Sequence, residues 1–171
     1  MLPEKIEKAF NEQIKHELES AYIYLSMAAW LHKKGYDGIA QWYRVQTQEE
    51  MVHAMKFFDH INNRGGKVVL QNIAQLKTEW KSLKEVVADG LAHEEFITSK
   101  INDLVKLSKE LDDFASMPML NWLVEEQVEE EVNANKNVDN VNMVGENGQG
   151  ILMLDREMGA RVFVMPPAKE V

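Results

Sequence analysis

Four stretches of this chain place apolar residues at alternating steps of three and four, and each is interrupted near its middle by a carboxylate or an amide. The seams read Ile6, Phe10, Gln13, Glu17, Ala21, Tyr24, Ala28, Leu31; then Ile39, Tyr43, Gln46, Glu50, His53, Phe57, Ile61; then Leu83, Val87, Gly90, Glu94, Ile97, Ile101, Leu104; and finally Leu120, Leu123, Gln127, Glu130, Ala134, Asn137, Val141. A repeat of about 3.5 residues keeps one helix face turned toward its partners, as left-handed bundles require. The chain is therefore constrained to pack four helices along these seams and to accommodate polar groups at their centres.

Local punctuation agrees with that reading. Pro3 opens a first helix that Gly35 stops, and Asp37 is expected to cap a second that ends at Asn62-Asn63-Arg64-Gly65-Gly66. The pattern lapses between Gly65 and Lys81, where Lys67-Val68-Val69-Leu70 reads as extended, which predicts a long crossover. Ser82-Leu83-Lys84-Glu85 is a capping-box pattern that starts the third helix. Asp112-Asp113 and Ser116-Met117-Pro118 mark a turn and the start of a fourth helix, and Gly145 to Gly150 break it before a short fifth. The expected fold is all-α, a four-helix bundle with a long crossover between helices 2 and 3 and a short C-terminal helix. The helices fall at about 3–34, 38–64, 83–110, 117–142 and 150–158, in one domain spanning 1–161 with a tail at 162–171. Short links make the first pair and the last pair antiparallel hairpins.

The central polar residues carry the chemistry. Burying an ionised carboxylate costs several kcal/mol unless something compensates it, and a domain holds only ~5–15 kcal/mol of stability. Glu17, Glu50, Glu94 and Glu130 fall at matching depth, and no lysine or arginine interrupts the seams there. Bound metal is the economical counter-charge. With no cysteine in the chain, its ligands must be carboxylate, imidazole or amide, which excludes thiolate zinc, iron–sulfur clusters and cysteine nucleophiles. Glu50 and His53 stand three apart on one helix face, as do the Glu-x-x-His pairs that build di-iron sites in bundles. Tyr24 follows Glu17 by two turns on the same face. It reads either as a core residue or as a phenol bonded to a metal-bound carboxylate.

The net charge of −9 disfavours nucleic acid as the main partner and suits a protein that handles cations. No apolar run approaches the roughly 20 residues of a membrane span. Met1-Leu2-Pro3-Glu4-Lys5 lacks a basic region followed by an apolar stretch, so the expected location is cytoplasmic.

Asn11-Glu12-Gln13 with Glu17, Glu49-Glu50-x-x-His53, His93-Glu94 and Glu126-Gln127-x-Glu129-Glu130-Glu131 together resemble the non-haem bacterial and archaeal ferritins. The resemblance spans Met1 to about Arg161. It implies a ferritin-like di-iron domain with a first iron on Glu17, Glu50 and His53, and a second on Glu50 as bridge, Glu94 and Glu130. It further implies that Gln127 orients a water or oxygen species, that Tyr24 is the site tyrosine, and that Glu49, Glu126, Glu129 and Glu130 form a third iron position. The implied activity is oxidation of ferrous iron by O2 or H2O2, with ferric mineral stored in a homo-oligomeric shell of about 24 subunits. After Gly159 the sequence departs from the family pattern, with Phe163, Pro166 and Pro167 in its tail.

The same residues leave three alternatives open. A haem-containing bacterioferritin would use Met51 as a haem ligand, but only one complete Glu-x-x-His is present; Met51 is expected to be a packing residue and no haem is expected. A rubrerythrin-like peroxidase would need the second motif and a cysteine-rich iron domain. A redox-inactive helical scaffold needs neither.

Overall fold

A computed structural model describes residues 1–165 of the chain. Helix α1 (Glu4–Lys34) begins after Pro3 and has Glu4 and Glu7 in its first turn and His32, Lys33 and Lys34 in its last, signs that suit the helix dipole at both ends. Gly35 ends it in the left-handed region at φ +83°, and the N–H groups of Gly35 and Tyr36 close onto the carbonyls of His32 and Leu31. Helices α2 (Asp37–Asn63), α3 (Leu83–Glu110), α4 (Met117–Val144) and α5 (Gly148–Met158) follow, with a 3-10 turn at Phe114–Ser116 before α4. This is the all-α bundle with a long crossover and short fifth helix that the seams predict. Among the described residues there is no strand, and no helix is long and apolar enough to cross a membrane.

The crossover is stitched to α1. The buried Asn11 amide donates to the Lys67 carbonyl at 2.9 Å and accepts the Val69 N–H at 2.6 Å, which holds Lys67 to Val69 extended. Farther along, Ser26 Oγ donates to the Lys77 carbonyl at 2.7 Å. The contacts advance along both segments together, so the crossover runs parallel to α1 and returns the chain to the end where α2 began. Ser82 then caps α3 by accepting the Glu85 N–H at 3.3 Å, while the Glu85 carboxylate reaches the Lys81 N–H at 2.6 Å.

Every residue of the four seams is buried. The apolar part of the core divides in two. One half gathers Tyr24, Trp30, Leu31, Tyr43, Val87, Val141 and Leu154, and the other gathers Ile6, Phe10, Phe57, Ile61, Ile97, Ile101 and Leu120. Between them lies the polar layer of Gln13, Glu17, Gln46, Glu50, His53, Glu94, Gln127 and Glu130.

Asp37 does not cap α2 as expected. It is the first helical residue, and its carboxylate turns to His32 Nδ1 at 2.7 Å. The cap comes from α5: Asp155 Oδ1 accepts the Ile39 N–H at 2.9 Å. Docking of α5 here depends on Gly38, because a Cβ at that position would lie 1.8 Å from the Asp155 carbonyl oxygen. Gly38→Ala should therefore lower stability by roughly 1–3 kcal/mol through overpacking, although alanine is the better helix former. Asp155→Ala should cost about 1 kcal/mol through the lost cap. Thermal unfolding of both variants is the check, and an unchanged or raised Tm for Gly38→Ala would contradict this docking.

Candidate metal centre

Two helices bring the expected first group together. Glu17 comes from α1, where Gln13, one turn earlier, donates to its Oε1 at 2.8 Å; its Oε2 is buried with no partner. Glu50 and His53 stand one turn apart on α2, with Nδ1 3.4 Å from Glu50 Oε2. One ligand atom from each of Glu17, Glu50 and His53 lies within 4.8 Å of the others, and the three residues are 0%, 1% and 2% exposed. Two carboxylates and an imidazole, desolvated and carrying an orphaned oxygen, form a donor set suited to a divalent transition metal.

Glu94 and Glu130 approach from α3 and α4. Glu94 accepts the Tyr24 hydroxyl through Oε1 and Gln127 Nε2 through Oε2 at 3.2 Å. Gln127 also donates to Thr98 Oγ1 at 3.3 Å, so its amide is tied to α3. Glu130 Oε2 accepts Gln46 Nε2 at 2.6 Å.

The carboxyls act as one electrostatic unit. Burial raises Glu50 well above the usual carboxylate range, and repulsion from Glu94, Glu17 and Glu130 adds to it. Burial likewise raises Glu17 and Glu94, and pushes Glu130 up to about 8 with a further contribution from Glu94. Burial and the adjacent Glu94 charge hold the Tyr24 phenol protonated, as the donor in its bond. Beside Tyr24, His93 is pushed down to about 4 by burial and shares a 2.7 Å hydrogen bond with Ser20 Oγ.

Glu49, Glu126 and Glu129 stand apart from this cluster. With His53 and Glu130 they line a cavity of about 90 Å³ on whose other side lie Arg161, Phe163 and Val164. Glu49 and Glu126 are half-buried, and Glu129 is exposed.

Sequence reasoning missed three participants. Gln13 and Gln46 were placed in the seams but given no part; Gln13 was legible as the residue one turn before Glu17. No lysine or arginine interrupts the seams, as expected, but Arg161 supplies a cation at the edge of the layer from outside them. It arrives from the segment just after α5 rather than from a seam, donating to Glu49 Oε2 at 2.6 Å and to Gln46 Oε1. Met51 is 42% exposed on the single chain and lies one position round α2 from the Glu50 seam, so it is not part of the bundle core. Pro166 and Pro167 lie outside the described residues.

A four-helix bundle with a desolvated carboxylate and imidazole layer defines a metal-handling protein of the carboxylate-bundle class. The family model of the ferritin-like domain matches residues 7–144. The probable bacterial non-heme ferritin-like protein of Haemophilus influenzae is 40% identical over 159 residues, covering 93% of this chain and 96% of that protein. The bacterial non-heme ferritin of Staphylococcus haemolyticus is 36% identical, covering 95% and 98%. Among solved structures, the novel open pore ferritin of Archaeoglobus fulgidus superposes with a TM-score of 0.93 at 40% identity, covering 95% of this chain and 100% of that one. A closed form of that ferritin, engineered by site-directed mutagenesis, gives 0.94 at 40% identity, covering 96% and 100%. The chain belongs to the ferritin family, and its function is iron storage.

The raised carboxyls make a pH-dependent expectation. A glutamate titrating at about 8 folded and near 4.5 unfolded binds more protons when folded, so its contribution to stability falls as pH rises between those values and is level above 8. Metal-free Glu130→Gln should therefore gain Tm relative to the parent as pH rises from about 5 to 8. Zn2+ binding near pH 7 should release protons, read by calorimetry in buffers of different ionisation enthalpy. A Tm difference that narrows with rising pH would contradict the assignment.

Proposed function

We propose that the buried layer oxidises ferrous iron two ions at a time, and that the ferric product is stored as mineral inside a cytoplasmic shell of about 24 copies of this chain. The observation that carries this reading is the Glu17, Glu50 and His53 cluster with its unpartnered Glu17 oxygen. Iron is the substrate. Glu17, Glu50 and His53 hold the first ion, and Glu50, Glu94 and Glu130 the second, with Glu50 as the shared anion. Each ion gives up one electron. With O2 as acceptor, two electrons and two protons yield H2O2; with H2O2 as acceptor, they yield two waters.

The roles of the neighbouring residues follow from their contacts. Gln127 and Tyr24 fix the Glu94 carboxylate, and Gln127 also presents its amide where the oxidant arrives. Gln13 and Gln46 orient Glu17 and Glu130, and the layer's apolar neighbours exclude competing water. Hard carboxylates favour the ferric state and so help drive oxidation. The second position lacks an imidazole, so it holds iron less tightly, which suits an ion in transit. The outer carboxylates Glu49, Glu126 and Glu129, with Glu130, take a third ion on its way to the store.

Two dications a few ångströms apart at an effective dielectric near 20 repel by on the order of 15 kcal/mol, a cost that the bridging carboxylate offsets. Glu50→Ala is therefore expected to abolish rapid oxidation and His53→Ala nearly so. Glu129→Ala should leave the fast paired phase intact while changing the oxidant consumed per iron. Stopped-flow absorbance with two ferrous ions per subunit reads all three, and a Glu50→Ala protein as fast as the parent would place the site elsewhere. Light scattering should return a mass near 24 subunits. A monomer or dimer under all near-neutral conditions would refute the shell.

A further inference from the structure

Three residues past the end of α5, the side chain of Arg161 lies back along α2. Its guanidinium carbon stands 4.4 Å over the Trp42 ring, Nη1 donates to Gln46 Oε1, and Nη2 donates to Glu49 Oε2 at 2.6 Å. Trp42, Gln46 and Glu49 follow one another at steps of four and three, so they form a single stripe of α2. The arginine is thus stacked at one point and hydrogen-bonded at two. Its backbone is equally fixed: the Arg161 N–H closes on the Met158 carbonyl at 3.3 Å, at the end of a helix anchored through Gly38 and Asp155.

The location gives this clasp its meaning. The guanidinium lies beside the cavity lined by Glu49, Glu126, Glu129 and Glu130, and it is the permanent cation among the lining residues. The strap that carries it is anchored only lightly by burial, since Val162 and Val164 are 70% and 74% exposed and Phe163 is half-buried against the cavity. The arginine's contacts with Trp42, Gln46 and Glu49 therefore add materially to what holds it in place. Gln46 extends the effect inward, because the amide whose oxygen accepts from Arg161 donates its N–H to Glu130.

We propose that Arg161 is a built-in counter-cation for the outer carboxylate group, and that a metal ion enters that group by exchanging with the guanidinium. The inference rests on the outer group being a metal position. Without metal, Arg161 balances Glu49 and locks the Gln46 amide. When a cation takes Glu49, the arginine leaves the carboxylate and the Trp42 face together, and the strap loosens over the cavity. Arg161 is a positioning residue in this scheme, setting how readily the outer position fills.

The test uses the assembled, metal-free protein with Zn2+ as a redox-inert probe. Calorimetric titration should resolve a weak class of Zn2+ beyond the tighter ions of the buried layer, and Glu129→Gln should remove it. In Arg161→Gln that weak class should tighten about tenfold while the tighter classes keep their affinities. Arg161→Lys, which keeps the charge but loses the planar fork, should fall between. In the parent protein, filling the weak class should change tryptophan emission as the guanidinium leaves Trp42, and Trp42→Phe should lose that change. A weak class of equal affinity in the parent and Arg161→Gln, or one that fills without the Trp42 signal, would overturn the exchange and leave the outer position standing. Absence of the weak class from both proteins would overturn the outer position and the exchange together. If Arg161→Gln fails to assemble, the parent's emission and the lysine variant decide.

Discussion

A carboxylate stripped of water loses several kcal/mol unless donors, a proton or a cation replace its hydration, and this bundle buries four in one layer. The cost is comparable to what several core side chains return on burial, at ~1.5–3 kcal/mol each. The architecture answers it by separating functions. Two apolar half-cores supply the stability on either side, and the layer between them is left to balance its own charge. Without metal, the balance comes from retained protons and from Gln13, Gln46, Gln127 and Tyr24, each donating to one of the carboxylates. Because no amide or phenol donates to Glu17 Oε2, the compensation there is left to a proton or a cation, at the point where Glu50 and His53 also converge.

The bundle was legible because burial along a helix seam leaves a periodic signature. Residues such as Phe10, Glu17 and Tyr24 declare a shared face through spacing alone, and the carboxylates declared the layer by breaking an otherwise apolar pattern. Contacts with no periodicity were not legible. Asp37 looked like the cap of α2 because a cap is normally local, yet the Ile39 N–H is met by Asp155, 116 residues farther along the chain. Arg161 stands at the very end of the expected domain, past the short fifth helix and outside every seam, so nothing announced that α5 would carry it back to Glu49. Gln46 was placed correctly in its seam, but its bond crosses to Glu130 on another helix, and no spacing rule identifies a cross-helix partner.

These two long-range contacts are related. Asp155 holds the start of α2, and Gly38 lets the α5 backbone approach within contact; together they set where α5 ends. The position of its last turn determines whether a side chain at 161 can reach the middle of α2. A short helix that adds little to the core therefore governs which charge stands at the edge of the polar layer.

That edge also gives the layer a direction. From Glu50 at 1% exposed to Glu130 at 6%, and on to half-buried Glu49 and exposed Glu129, the acidic residues become progressively wetter. Coulombic attraction weakens along that series as the effective dielectric rises. The imidazole stands at the dry end, shared by the Glu17 and Glu50 cluster and the inner wall of the cavity. In the proposed scheme an ion is gripped hardest where it is oxidised and more loosely at each step outward. In that scheme the gradient of hydration acts at both ends: the inner carboxylates, stripped of water, are strong ligands, and the outer ones, which keep their water, do not trap the product.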